Sequence, residues 1–264
     1  MAAEAMAGAL DVAVRLVAIG LAITGAELIA DRRAFTASGP FGPQVFAALR
    51  GARPPRLLAG SRGVSIVAIT QVIAAAVLVA FGPLSVPGRC VLAVLGITTT
   101  LIRRRRIIGG DGAEQMSDIV LISALLAVLP MPADSRITLA VVFIAAQAVL
   151  SYFTSGVAKL VSPMWRSGSA LPAILGTYNH GLAPVSRIME SRPAIGFVLG
   201  WSVILFEVLF PLVLIAPPSV AIAALGVGLT FHLGCAVLMG LNSFVWPFPA
   251  TYACVLAIRE SLVG

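Results

Sequence analysis

One lysine, Lys159, lies inside an apolar stretch of this 264-residue chain, and it differs chemically from every other basic residue. The remaining 17 of the 18 basic residues are arginines. A desolvated ammonium can lose its proton, whereas a guanidinium stays charged. Lys159 is therefore a candidate general base. Two other interpretations remain open: a lysine that extends to the membrane interface, or one that pairs structurally with a glutamate.

The residues around Lys159 are small or carry hydroxyls. At helical spacing, Tyr152, Ser155 and Gly156 share one face with Lys159. This face gives the amine small neighbours and hydroxyl groups. Tyr152 and Gly156 are predicted cofactor-site residues.

Two further ionisable residues lie within apolar stretches. Glu207 precedes Pro211 by four residues, and Pro211 has no N–H for the carbonyl of Glu207, which predicts a kink and a polar pocket. The alternative is a bend whose glutamate pairs with an arginine for packing. His232 has Gly228 and Cys235 on its face, so a flat ligand or another helix could approach closely, although an ordinary hydrogen-bonded histidine is the alternative.

The composition excludes a soluble fold. Hydrophobic residues make up 59% of the chain, charged residues 11%, and the mean hydropathy is +1.02, whereas soluble domains are about a quarter charged. We predict an all-α, polytopic membrane helical bundle of about six to eight transmembrane helices, forming one domain over 1–264. Apolar runs of suitable length lie at about 10–30, 63–84, 88–102, 116–131, 137–161, 194–216, 219–240 and 249–263. The three cysteines form no CxxC pair or Cys/His cluster, so no metal site is predicted.

Arginines alternate between the connecting segments. They are concentrated in 31–62, in Arg103–Arg106 and in 163–193, which the positive-inside rule places in the cytoplasm with an extracytoplasmic N-terminus. The net charge of +7 is thus interpreted as topology, with no nucleic-acid partner. Segment 31–62 is expected to be a basic cytoplasmic loop, either solvated or held at lipid headgroups, and 163–193 an interfacial or re-entrant segment. The run Arg103–Arg106 is either an anchor or a site for an acidic ligand or lipid headgroup.

The stretch from Ala146 to Leu175 resembles the signature of the horizontally transferred transmembrane (HTTM) family. The matching residues are Tyr152, Phe153, Gly156, Lys159, Leu160, Trp165, Gly168 and Ala170. Downstream, FEVLFPL (Phe206 to Leu212) and FHLGCAVLMGLNSF (Phe231 to Phe244) look like later family helices. Upstream, GGDGAEQ (Gly109 to Gln115) looks like the family's turn between two spans.

The resemblance implies a chemical role for these residues. The family includes vitamin K-dependent γ-glutamyl carboxylase, in which the corresponding lysine is taken as the base that deprotonates vitamin K hydroquinone. It implies Lys159 as a catalytic base, Glu207 and His232 as supporting or proton-relay groups, and menaquinone or another isoprenoid quinone as cofactor. Trp165 is then a candidate stacking residue, with an interfacial or packing role as the alternative.

The departures from the carboxylase pattern shape the functional hypotheses. The carboxylase has a histidine in its upstream turn where this chain has Gly110–Asp111–Gly112, and no substrate-docking domain is expected after Gly264. The leading hypothesis is a carboxylase-like, quinol-dependent protein of the bacterial inner membrane, linked to peptide modification or maturation. The alternatives are a noncatalytic maturation, export or immunity factor that binds a small peptide or partner membrane protein, and a transporter, against which stands the absence of inverted repeats.

Overall fold

A computed structural model describes residues 2–105, 110–129, 133–178 and 181–263. Arg106, Gly109 and the last two residues of the predicted run 116–131 lie outside this described part. Regular structure in the described ranges is helical, with no strand. The predicted all-α class is confirmed.

Six helices within the described ranges are long and apolar enough to cross a membrane. They are α1 (Ala2–Ala30), α3 (Ser61–Phe81), α4 (Val86–Arg105), α6 (Ala133–Val161), α10 (Pro193–Leu209), which continues as a 3-10 helix over Phe210–Leu214, and α11 (Pro218–Met239). Two predicted runs, 116–131 and 249–263, correspond to the shorter helices α5 (Gly112–Ala127) and α13 (Tyr252–Val263). The observed helices agree with the predicted six to eight.

Short helices form the connecting segments. They are α2 (Pro43–Arg50), α7 (Pro163–Arg166), α8 (Ala170–Leu175), α9 (Ala183–Ser191) and α12 (Pro247–Ala250), together with 3-10 helices over Arg32–Phe35, Arg56–Leu58 and Asn242–Val245. Segment 31–62 thus contains α2 and two 3-10 turns, and the described part of 163–193 contains α7, α8 and α9. Their placement in the cytoplasm or at an interface stays a prediction.

The chain packs as two compact units. One comprises Ala7–Ala140, and the other comprises Met1–Met6 with Val141–Gly264. All the predicted site residues belong to the second unit. The prediction of one domain over 1–264 stays a prediction.

Hydrogen bonds pair several polar groups within the Ala7–Ala140 unit. Gln71 of α3 is buried and donates to the carbonyl of Leu21 at 2.8 Å, while Thr99 of α4 lies 3.4 Å from the Gln71 side chain. Asp111 caps the start of α5 by accepting a hydrogen bond from the backbone N–H of Glu114 at 2.9 Å. Such pairing is necessary because an unpaired buried polar group costs free energy in an apolar surrounding.

Near Pro211, where a kink was predicted, the helix changes type. Because Pro211 lacks an N–H, the carbonyl of Glu207 instead accepts a hydrogen bond from the N–H of Phe210, and the chain continues as the 3-10 helix. The carbonyl is therefore satisfied, and Glu207 lies in the last turn of α10 before the change.

Candidate functional site

A close approach of two helices positions the central residues of the site. A Cβ atom on Gly156 of α6 would lie 2.7 Å from the backbone nitrogen of Val208 and 2.8 Å from Cβ of Glu207 on α10. Both distances are too short for a side chain, so glycine is required at this crossing. The crossing brings the next turn of α6, which carries Lys159, against Glu207.

Lys159 and Glu207 form a buried ion pair. The Nζ atom of Lys159 lies 2.7 Å from Oε2 and 2.9 Å from Oε1 of Glu207, and 2.6 Å from Oγ of Ser155. The three N–H groups of the ammonium thus have three acceptors. The side chain of Glu207 is only 3% exposed and that of Lys159 is 17% exposed, so the two charges compensate each other where solvation is poor.

The partner of Glu207 is therefore a lysine and not an arginine. Ser155 also lies 3.4 Å from Oε1 of Glu207, so its hydroxyl can accept from Lys159 while donating to the carboxylate. The sequence left open whether Lys159 would pair with a glutamate or extend to the interface, and the geometry shows the pair. Whether the pair acts on a ligand stays a prediction.

Trp165 lies over the lysine. The Nζ atom of Lys159 is 5.2 Å from the centroid of the Trp165 ring, within the range of a cation–π interaction. The indole thus faces the ammonium from α7, the first short helix after α6. Whether Trp165 also stacks on a ligand stays a prediction.

A second cluster of polar side chains is centred on Tyr152, which lies one helical turn before Ser155. The hydroxyl of Tyr152 lies 2.6 Å from Nε2 of His232 and 2.6 Å from the hydroxyl of Tyr252. The ring of Phe248 stacks on His232 with centroids 4.8 Å apart, and Phe210 stacks on Tyr152 at 4.0 Å. We call Tyr152, His232 and Tyr252 the Tyr–His–Tyr chain.

The directions of the two hydrogen bonds are linked through the single proton of Tyr152. If Tyr152 donates to Nε2 of His232, the imidazole carries its proton on Nδ1; if Tyr152 donates to Tyr252, Nε2 carries the proton and Nδ1 is an acceptor. In either arrangement, buried Nδ1 of His232 has no hydrogen-bond partner among the residues that the structure describes. This atom is a buried polar group without a partner in the described part of the chain.

Tyr252 was not predicted as a site residue. It lies in α13, far from α6 in sequence, and its hydroxyl packs so closely on Gly228 of α11 that a Cβ there would collide with it. The close approach predicted at Gly228 is therefore made by Tyr252. The only sequence signal was rarity, since the chain has three tyrosines.

An apolar cleft of about 660 Å³ lies between α10 and α11, within the usual size range of small-molecule sites. Its wall includes Phe206, which directly precedes Glu207 in α10 and whose ring meets Tyr152 edge-on at 5.7 Å. The cleft thus adjoins both polar groups. We call it the α10–α11 cleft.

The predicted site residues therefore form two separate groups. The structure brings Lys159, Glu207 and Trp165 together, whereas His232 joins Tyr152 in the Tyr–His–Tyr chain and makes no hydrogen bond to the ion pair. Gly156 sets the helix crossing and touches α10. No group of three or more histidine, cysteine or acidic residues able to hold a metal lies within the described ranges.

The ion pair predicts strong coupling between two substitutions. Lys159→Met leaves the Glu207 carboxylate buried without its counter-charge and is expected to lower the free energy of unfolding by roughly 3 kcal/mol. Adding Glu207→Gln removes the stranded charge, so the double variant should be less destabilised than the sum of the two single variants. Unfolding of the detergent-solubilised protein measures this.

The matched control is the partly exposed pair between Asp11 and Arg15, whose side chains are 32% and 34% exposed. Asp11→Asn is expected to cost less than about 1 kcal/mol. Additive effects of Lys159→Met and Glu207→Gln would contradict a coupled pair.

Searches of protein-family profiles, of curated proteins and of solved structures find no match to this chain. The resemblance to the HTTM family thus stays a prediction from sequence motifs.

Proposed function

We propose that the Val141–Gly264 part of the chain is a quinol-binding, proton-transfer site within a membrane. The observation that carries this proposal is the buried Lys159–Glu207 pair, whose neighbour Phe206 lines the α10–α11 cleft. A ligand for such a place has an apolar body and one acidic hydroxyl. An isoprenoid quinol such as menaquinol has both.

The pair is suited to take a proton as a unit. With both groups charged, the ammonium has no lone pair, and the basic atoms are the carboxylate oxygens of Glu207. When the quinol O–H bond breaks, its proton passes to the pair, which then holds an ammonium and a carboxylic acid. The net positive charge of the pair balances the quinolate, whose oxygen accepts a hydrogen bond from Lys159.

The residues around the pair support the same ligand. The apolar walls of the cleft exclude water and so strengthen the attraction between ammonium and quinolate. His232, hydrogen-bonded to Tyr152, takes the supporting or proton-relay role that the resemblance implies. Trp165 offers an aromatic face beside the ammonium.

The wider reaction follows from the resemblance to the HTTM family. We propose that quinol deprotonation serves a carboxylase-like modification or maturation of a peptide. We further propose that the chain is a multi-pass protein of a bacterial inner membrane, with the arginine-rich segments in the cytoplasm and the N-terminus outside. The arginine distribution supports this orientation.

Bound quinone tests the proposal directly. Protein purified from bacterial membranes should release menaquinone or another isoprenoid quinone on organic extraction, measured by mass spectrometry. Lys159→Met should weaken menaquinol binding about tenfold or more, because a charge-assisted hydrogen bond is lost. The proposal fails if the wild type neither carries nor binds an isoprenoid quinone.

A matched pair of glycine variants locates the ligand. Gly234 lines the α10–α11 cleft and Gly96 lies on α4, and a Cβ at either position meets nothing within 4 Å. Gly234→Leu should fill the cleft and abolish quinone binding, while Gly96→Leu should leave it unchanged. Equal quinone binding by both variants would show that the ligand binds outside the cleft.

The orientation is tested by thiol labelling in a variant whose three native cysteines are replaced by alanine. Ser219, at the start of α11, and Ser38, in segment 31–62, are both exposed. A membrane-impermeant maleimide should label Ser219→Cys in intact cells, and should label Ser38→Cys only after the cells are opened. The reverse pattern would place the N-terminus in the cytoplasm.

A further inference from the structure

A basic pocket of about 610 Å³ lies in the Ala7–Ala140 unit, whereas the residues of the proposed quinol site belong to the other unit. Four arginines line it, two from segment 31–62 and two from the end of α4. They are Arg50, Arg53, Arg103 and Arg104. Because like charges repel, convergence of four guanidinium groups on one concavity favours an anion there.

A buried arginine holds this pocket together. Arg105 is only 2% exposed, and its guanidinium donates hydrogen bonds to the carbonyl oxygens of Leu58 and Phe41. It also lies over two aromatic rings, 5.3 Å from the centroid of Phe35 and 4.9 Å from that of Phe46. Through these contacts Arg105 holds segment 31–62 against the end of α4.

The contacts of Arg105 also bring the arginines of segment 31–62 close to those of α4. Phe46 belongs to α2, which ends at Arg50, so its packing against Arg105 brings the end of α2 beside the end of α4. The basic run at 103–105 therefore contains one structural arginine and two that line the pocket. A plain membrane anchor would not require this internal arrangement.

The charges in the pocket do not cancel. Arg103 bonds to Asp118 and donates to the backbone carbonyl of Glu114 at 2.9 Å, and its Nε lies 3.7 Å from the Glu114 carboxylate. Beside this paired arginine, Arg53 and Arg104 bring two further positive charges to the lining of the pocket. Arg53 and Arg104 are exposed, so their guanidinium groups are accessible to a ligand.

The same segment exposes large apolar side chains. Phe41, Leu49 and Leu57 are 45%, 65% and 54% exposed, and they flank the arginines in sequence. Apolar and basic side chains exposed together are typical of a segment that lies in the headgroup region of a bilayer. A segment in that region would hold the pocket at the depth of the lipid phosphates.

We propose that this pocket binds the phosphodiester headgroup of an anionic phospholipid. Arg53 and Arg104 contact the phosphate, since guanidinium groups bind phosphate oxygens in a bidentate manner. Arg103 is held by its carboxylate partners and contributes to the positive field. The exposed apolar side chains lie among the acyl chains.

The test uses the full chain in detergent, with phosphatidylglycerol as the anionic probe and phosphatidylcholine as the zwitterionic one. Native mass spectrometry measures the bound fraction. Phosphatidylglycerol should bind more tightly than phosphatidylcholine, and Arg53→Ala/Arg104→Ala should weaken its binding about 30-fold. Arg53→Gln/Arg104→Gln should do the same with side chains closer in size.

The matched control is Arg56→Ala/Arg62→Ala. Both residues are exposed and lie at 56–62, close to the pocket in sequence, but neither lines it, so the same charge is removed outside the pocket. Phosphatidylglycerol binding should remain within about twofold of the wild type. An equal loss in the two double variants would show attraction by net charge alone and overturn the proposal.

A competition measurement distinguishes a lipid ligand from free phosphate. Excess inorganic phosphate should not displace phosphatidylglycerol from the wild type, because the lipid also makes apolar contacts. Complete displacement would assign the pocket to free phosphate instead. Indistinguishable binding of the two lipids would also overturn the proposal, and neither result depends on quinol binding.

Discussion

The ion pair between Lys159 and Glu207 constrains the geometry of the site around it. A charge at membrane depth costs at least about 2.5–3.5 kcal/mol, and leaving one partner alone costs more than removing both. The pair therefore needs α6 and α10 to approach closely enough for Nζ to lie within 2.9 Å of both carboxylate oxygens. Gly156 permits that approach, because any side chain there would collide with the backbone of α10.

The proposed chemistry depends on how polar and apolar groups are separated around this crossing. One face of α6 supplies both Lys159 and Tyr152, so the ion pair and the Tyr–His–Tyr chain lie on the same helix but use different partners. The α10–α11 cleft adjoins both groups through Phe206, which precedes Glu207 and contacts the Tyr152 ring. An apolar ligand in the cleft would thus present its polar end to groups that can hold or take a proton.

The sequence predicted the helices and the rare ionisable residues well, because both depend on local composition. The spans follow from the length of apolar runs, and Lys159 stands out as the one lysine among arginines. The pairing with Glu207 was only one of several alternatives, since 48 residues separate the two positions and only the helix crossing joins them. Tyr252 was missed for the same reason. Nor could the sequence distinguish Arg105 from its neighbours, because its burial depends on how segment 31–62 packs.

The most direct measurement of the central claim uses the single lysine. Protein labelled with ¹⁵N-lysine contributes one side-chain Nζ resonance, which reports on the charge and surroundings of Lys159 without assignment. We expect an ammonium whose resonance shifts markedly in Glu207→Gln, stays in place in Glu4→Gln and moves when menaquinol is added. A resonance of a freely solvated ammonium, unchanged by Glu207→Gln and by menaquinol, would contradict both the buried pair and the site built on it.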